Sequence, residues 1–293
     1  MNKPNITLND VLKNRLSATC NAIAYEIMKD VTKRDGYNIK KNNSHLLFEN
    51  EKYIMDLFDL LSNTMDCLSS IDNACIFMTH FYEKNHFEKH QISFIDYNLY
   101  HYDVLCYKIS TLKDLYFKLV NFLYNLNLKD KSCNWTAIER EENIINKPLL
   151  FYFLRENFKH LSTINNRRNR SAHEGKVEHK AFKDISSYVF LTMHDKTNNN
   201  NISKDLNSTY GPYLEVEIKK SQQAFLEEVE IYRYNTFVFT RCILCSLSEK
   251  FIQTINSQTK NKYSEIIKKA EHKIIENWTK GCCNINGSLA IKW

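Results

Sequence analysis

Only five glycines and three prolines interrupt 293 residues. These two residue types are the ordinary punctuation of regular structure. Average chains carry roughly 7% glycine and 5% proline. A chain this poor in breakers has few places to reverse tightly, which disfavours the many short strands and turns of an all-β fold. It favours long helices instead. The apolar content, 43% of the residues, is ample for a core in a chain of this length.

The apolar residues recur at helical spacing along most of the sequence. Residues 7–29 place Leu8, Val11, Leu12, Leu16, Ile23 and Ile27 on one stripe. A polar connection follows at 34–44, with an Asp35-Gly36 turn signal. The pattern resumes near Leu47, is expected to break around Ser69-Ser70-Ile71-Asp72, and continues to about residue 88. The strongest stretch is 94–127, with Leu105, Ile109, Leu112, Leu115, Leu119, Phe122, Leu123 and Leu126. A polar loop with one helical turn near Glu139 is expected over 129–148, then a helix over 149–164 and a short one over 176–184. Tyr188–Met193 and Tyr213–Ile218 read as two strands, the second alternating apolar and charged residues. An asparagine-rich loop at 196–208 separates them. Two more helices, 221–256 and 262–279, precede an irregular end at 281–293. The expectation is therefore all-α, with a small β-hairpin inserted near 187–219. An N-terminal helical segment (1–92) packs on a larger helical domain (93–293).

The formal charge is +6, from 40 Lys+Arg against 34 Asp+Glu. That surplus suits a polyanionic partner without requiring one. Its distribution is more telling. Between 155 and 184 stand Arg155, Lys159, Arg167, Arg168, Arg170, Lys176, Lys180 and Lys183, opposed only by Glu156, Glu174, Glu178 and Asp184. No secretory signal is visible at the start, and no segment approaches the ~20 apolar residues of a membrane span. A cytoplasmic location with nine reduced cysteines is expected.

Inside the basic stretch lies Asn166-Arg167-Arg168-Asn169-Arg170-Ser171-Ala172-His173-Glu174-Gly175. An arginine can grip a phosphate through two parallel hydrogen bonds. A histidine can move a proton near neutral pH. Five residues of α-helix rotate the chain by about 500°, which leaves two side chains roughly 140° apart. Arg168 and His173 therefore converge only across a backbone break or across two protomers. Ser171-x-x-Glu174 has capping-box spacing and marks where such a break is expected.

Arg168-Asn169-(three residues)-His173, after an amphipathic helix in a basic chain, resembles the signature of the HEPN superfamily. The resemblance covers the motif and the helices around it, from about residue 94 to 256. It implies an antiparallel helical bundle that dimerises, so that two motifs form one cleft, and a metal-independent RNase needing no cofactor. His173 would then be general acid or base, Arg168 would stabilise phosphate charge, and Asn169 would position a phosphate or the motif loop. Arg167, Arg170 and Lys176 would contact the RNA backbone. Many members of the superfamily act in prokaryotic defence or toxin–antitoxin pairs, so an antitoxin or defence partner is a further expectation. Non-catalytic RNA-binding or sensor members exist, and a helical protein–protein scaffold is a third reading of the same chain.

Competing constellations are thin. Cys242-x-x-Cys245 has half a zinc signature but sits in an apolar helical run, where two small buried residues are the simpler reading. His86 and His90 have metal-ligand spacing on one helix face, but the nearby Glu83 and Glu88 complete no recognisable motif with them, and a solvated helix end is the simpler reading. No glycine-rich phosphate loop and no Ser/His/Asp hydrolase signature is present. His101 and Asp103 read as packing groups, and His160 lies one helix before the motif.

Overall fold

A computed structural model describes residues 6–79, 84–174, 178–187 and 202–282. The elements are α1 (Leu8–Leu12), α2 (Arg15–Val31), α3 (Glu49–Thr79), α4 (Lys84–Lys89), α5 (Phe94–Tyr124), α6 (Trp135–Arg140), α7 (Glu142–Ile145), α8 (Pro148–Glu174), α9 (Lys180–Lys183), α10 (Ile202–Gln258) and α11 (Ser264–Cys282). Two single 3₁₀ turns, Ser44–Leu46 and Asp130–Ser132, sit in the connections. Among the described residues there is no strand, so the fold is all-α.

The helix starts follow capping chemistry. Thr7 and Asp10 form a reciprocal capping box on α1. The Asn14 side chain accepts from the Ser17 N–H at 2.9 Å to open α2. Ser93 and Asp96 do the same for α5, at 3.0 and 3.1 Å. Once begun, each long helix is held by a buried stripe rather than by propensity. On α3, Ile54, Leu57, Leu61, Thr64, Leu68, Ile71, Cys75 and Met78 are all buried, stepping alternately by three and four. That unbroken stripe carries the helix straight through 69–72, where the serines had suggested a break. Every full burial of an Ile or Leu on it contributes about 1.5–3 kcal/mol, well above the few tenths by which serine weakens a helix.

The same logic corrects the strand expected at 213–218. Those residues lie inside α10, whose register continues from Ile218 into the buried Phe225, Val229, Thr236 and Thr240 at multiples of helical spacing. Six alternating residues fit both a period of two and a period near 3.6, and the longer continuation decides between them. The partner strand expected at 188–193 lies outside the described residues. The helix also begins at Ile202, within the segment expected to be a polar loop; asparagine, serine and lysine weaken a helix only slightly once it propagates. The 129–148 connection carries two short helices, α6 and α7, packed on each other.

The chain forms two compact units. The first draws on Met1–Asp66, Lys113–Asn157 and Phe237–Trp293; the second on Cys67–Leu112 and Phe158–Thr236. In the first, α11 packs along α2, and the Arg15–Glu271 ion pair joins the two. Tyr53 stacks on Phe122 at 4.8 Å, and Trp135 lies between Phe117 and Phe151. The second unit holds the Arg168–His173 motif. Its aromatic centre consists of Tyr102, Phe182 and Phe225, all fully or nearly fully buried, around the ring of His179.

Candidate functional site

Helix α8 runs without interruption through the motif and ends at Glu174. Ser171 is therefore an interior helical residue, not a cap, and His173 belongs to the last turn of α8 rather than the first turn of a new helix. The cause is the buried stripe of Leu150, Leu154, Asn157, Leu161 and Ile164, which continues at the same three-and-four spacing into Arg168. The sequence reading ended this helix at 164, where the apolar residues stop. The chain instead extends the stripe with a half-buried arginine whose guanidinium lies over the Tyr107 ring.

The placement divides the motif. Arg168 is half-buried, with its guanidinium 5.4 Å from the centre of the Tyr107 ring. Its Nη1 donates to Asn169 Oδ1 at 3.3 Å, and its buried Nε has no hydrogen-bond partner. Asn169 and His173 are exposed. They share the outer face of α8 with Lys159, Ser162 and Asn166, again at three-and-four spacing. With a continuous helix, Arg168 and His173 stand about 140° apart and about 7.5 Å along the axis. Among the described residues no carboxylate pairs with either one. Arg170 lies on the same helix, and Lys176 is outside the described residues.

Arg167 turns inward. It donates to the Tyr102 hydroxyl and, at 2.8 Å, to Glu228 Oε1, with the guanidinium 5.4 Å from the Tyr102 ring centre. Glu228, on α10, is also approached from the far side of the motif. His179 Nε2 lies 3.3 Å from Glu228 Oε2, off the hydrogen-bond axis, and Lys180 Nζ lies at 3.6 Å. His179 is 3% exposed and caps α9, its Nδ1 accepting from the Ala181 N–H at 3.1 Å. An acceptor at Nδ1 places a neutral ring's proton on Nε2, the nitrogen nearer Glu228. Burial alone would raise the Glu228 carboxyl, but the adjoining His179 and Arg167 outweigh it and hold the group down at about 2. Burial pushes the Tyr102 hydroxyl the other way, so it stays protonated.

Glu228, His179 and Tyr102 were not legible as a group in the sequence. They lie on three separate elements, and nothing in local spacing links them. The one available signal is Glu228 itself, a carboxylate standing beside Phe225 and Val229 on the buried side of a helix.

Metal-binding geometry is slight. The His86 and His90 rings lie 4.8 Å apart at an exposed site, and among the described residues no group of three His, Cys, Asp or Glu could hold an ion. Burial raises both the Cys242 and Cys245 thiols, the opposite of what a thiolate ligand pair needs. Among the described residues no helix is long and apolar enough to cross a membrane. No protein-family model, curated protein or solved structure matches the chain.

Proposed function

We propose that this protein is a metal-independent endoribonuclease of the HEPN type, working as a homodimer, in prokaryotic defence or a toxin–antitoxin pair. The observation that carries the reading is the splitting of the motif by a rigid helix. Arg168 and His173 diverge within one chain, and neither is neutralised by a carboxylate of its own chain among the described residues. A two-fold axis near the end of α8 would set Arg168 of one copy against His173 of the other. The outer face of α8, with Lys159, Ser162, Asn166, Asn169 and His173 and no acid among them, suits a polyanion laid across the paired helix ends.

In this reading an RNA strand lies across the paired helix ends. His173 takes the proton of a ribose 2′-hydroxyl as the oxygen attacks the adjacent phosphorus, or returns a proton to the departing 5′-oxygen. Arg168 binds the non-bridging oxygens, where negative charge builds as the phosphorus becomes five-coordinate. The products are a 2′,3′-cyclic phosphate and a 5′-hydroxyl, and DNA, lacking the nucleophile, is spared. Asn169, bonded to Arg168, orients the guanidinium. Arg170 and Lys176 supply backbone contacts, whereas Arg167 is engaged with Glu228 and serves the site from within.

The deciding measurement is RNA cleavage in EDTA by the wild type, His173→Ala and Arg168→Ala. Cleavage by the wild type alone, falling by about 10²–10⁴ in either variant, is expected. Mixing the two inactive variants should restore up to about a quarter of the sites to a full Arg–His pair, because a shared site needs one good residue from each chain. Full activity in either folded variant, or dependence on added magnesium or zinc, would overturn the reading.

A further inference from the structure

We infer that Glu228 is a positioning residue that clips both flanks of the Arg168–His173 motif to α10, an inference that rests on the nuclease reading for its catalytic meaning. Its two carboxylate oxygens are divided between two places in the sequence. Oε1 takes the Arg167 guanidinium at 2.8 Å, one residue before Arg168. Oε2 faces His179 at 3.3 Å and Lys180 at 3.6 Å, six and seven residues after His173. The motif is thus the stretch of chain between two residues that share one side chain.

Three features distinguish this arrangement from an ordinary surface pair. Arg167 and Glu228 retain only 13% and 18% of their side-chain exposure, and His179 retains none. The clip is over-determined, because Tyr102 both accepts from Arg167 and lies edge-on to His179 at 5.1 Å. Finally, Arg167 and Arg168 are adjacent on one helix, so fixing the first fixes the rotation of α8 about its axis and with it the direction of the second. A guanidinium must meet developing phosphate charge in a narrow geometry, and misplacement by about 1 Å costs on the order of 10²-fold in rate. Glu228 itself never needs to reach the RNA.

The test uses the full chain with Glu228→Gln and with the charge-free pair Arg167→Met/Glu228→Leu. The glutamine keeps the shape and an acceptor for Arg167 but loses the charge. The double variant carries the test if the single one does not fold, because replacing both partners of a buried pair is tolerated far better than removing one. Amide exchange should accelerate about tenfold or more over 166–174 and stay unchanged in α2, as expected for a local rather than a global opening. With single-stranded RNA, kcat should fall about tenfold to a hundredfold while KM moves by less than about twofold. Unchanged exchange across the motif would overturn the clip. A loss carried by KM alone would mean that Glu228 shapes RNA binding and not the reacting geometry. If the wild type cleaves no RNA, the nuclease reading fails and exchange alone decides the clip.

Discussion

Two arginine–glutamate pairs, one in each compact unit, use the same chemistry for different ends. In the first unit Arg34 grips Glu51 through two parallel bonds of 2.7 Å, and Glu51 is 1% exposed. Arg34 also donates to the Leu46 carbonyl and lies 4.5 Å over the Phe48 ring, while the Phe48 N–H donates to Glu51 at 3.1 Å. Every one of these partners falls between 34 and 51, so the pair folds one connection onto the start of α3. Lys262 approaches the same carboxylate at 3.9 Å. The Arg167–Glu228 pair spans 61 residues, is single rather than bidentate, and leaves the second oxygen to His179 and Lys180. A closed, local pair secures a turn. An open carboxylate shared between distant segments sets the relative placement of what lies between them.

That contrast predicts opposite consequences of breaking each pair, and the largest expected effect is at Glu51. Glu51→Ala leaves a guanidinium without its bidentate partner beside an apolar ring, and should cost about 3–5 kcal/mol of stability, read as a lowered urea midpoint. RNA cleavage by the protein that remains folded should be unchanged. Should Glu51→Ala and Glu228→Gln depress cleavage equally at equal stability, the distinction between a turn lock and a positioning clip would collapse.

Acid provides the second and smaller separation. Burial would raise the Glu228 carboxyl, yet its neighbours pull it from an ordinary 4.5 down to about 2. For Glu51, burial also raises and the hydrogen bonds from Arg34 lower, with the lowering dominant. A depressed folded-state pKa means stability that is complete above the unfolded value and is lost as pH falls through the folded one. The contribution of these two carboxylates should therefore be complete near neutrality and decline from about pH 4.5 toward pH 2. Glu228 should account for about 2 kcal/mol of that decline, after allowance for solvent screening. In Glu228→Gln the decline should become shallower by that share, leaving the Glu51 contribution in place. An identical slope in wild type and variant would show that the shared carboxylate is not held charged by its neighbours.

Most of the architecture was readable from a few simple regularities. Scarce glycine and proline, with apolar residues at helical spacing, led to the all-α class, to α5, to the two pieces that join as α3, and to the part of α10 from 221 onward. The failures share a cause. At Ser69–Asp72, after Ile164 and at Tyr213–Ile218, local composition argued for a stop or a strand, and the stretch instead belongs to a longer helix whose buried stripe lies partly or wholly outside that window. Within the candidate site, Arg168, Asn169 and His173 were visible because they are neighbours in sequence. Glu228, His179 and Tyr102 were not, since a network of three distant elements exists only after folding. Arg167 shows the limit most directly. Two adjacent arginines in one basic run are equivalent on paper, but 100° of helical rotation sends one inward to Glu228 and leaves the other beside Tyr107.

The smallest predicted effect concerns that second arginine. Arg168 has no carboxylate partner among the described residues, so its direction depends on the helix beneath it and on the Tyr107 ring 5.4 Å away. A cation over an aromatic face at a partly exposed site is worth about 0.5–1 kcal/mol. Tyr107→Leu should therefore reduce cleavage only about twofold to fivefold, with global stability within about 0.5 kcal/mol, since Tyr107 is 39% exposed. Tyr107→Phe keeps the ring and removes the hydroxyl, and should retain wild-type cleavage. Equal losses in the two variants would mean that the hydroxyl, not the ring face, serves Arg168. A loss as large as that of Arg168→Ala would move Tyr107 from supporting the guanidinium to meeting the RNA itself.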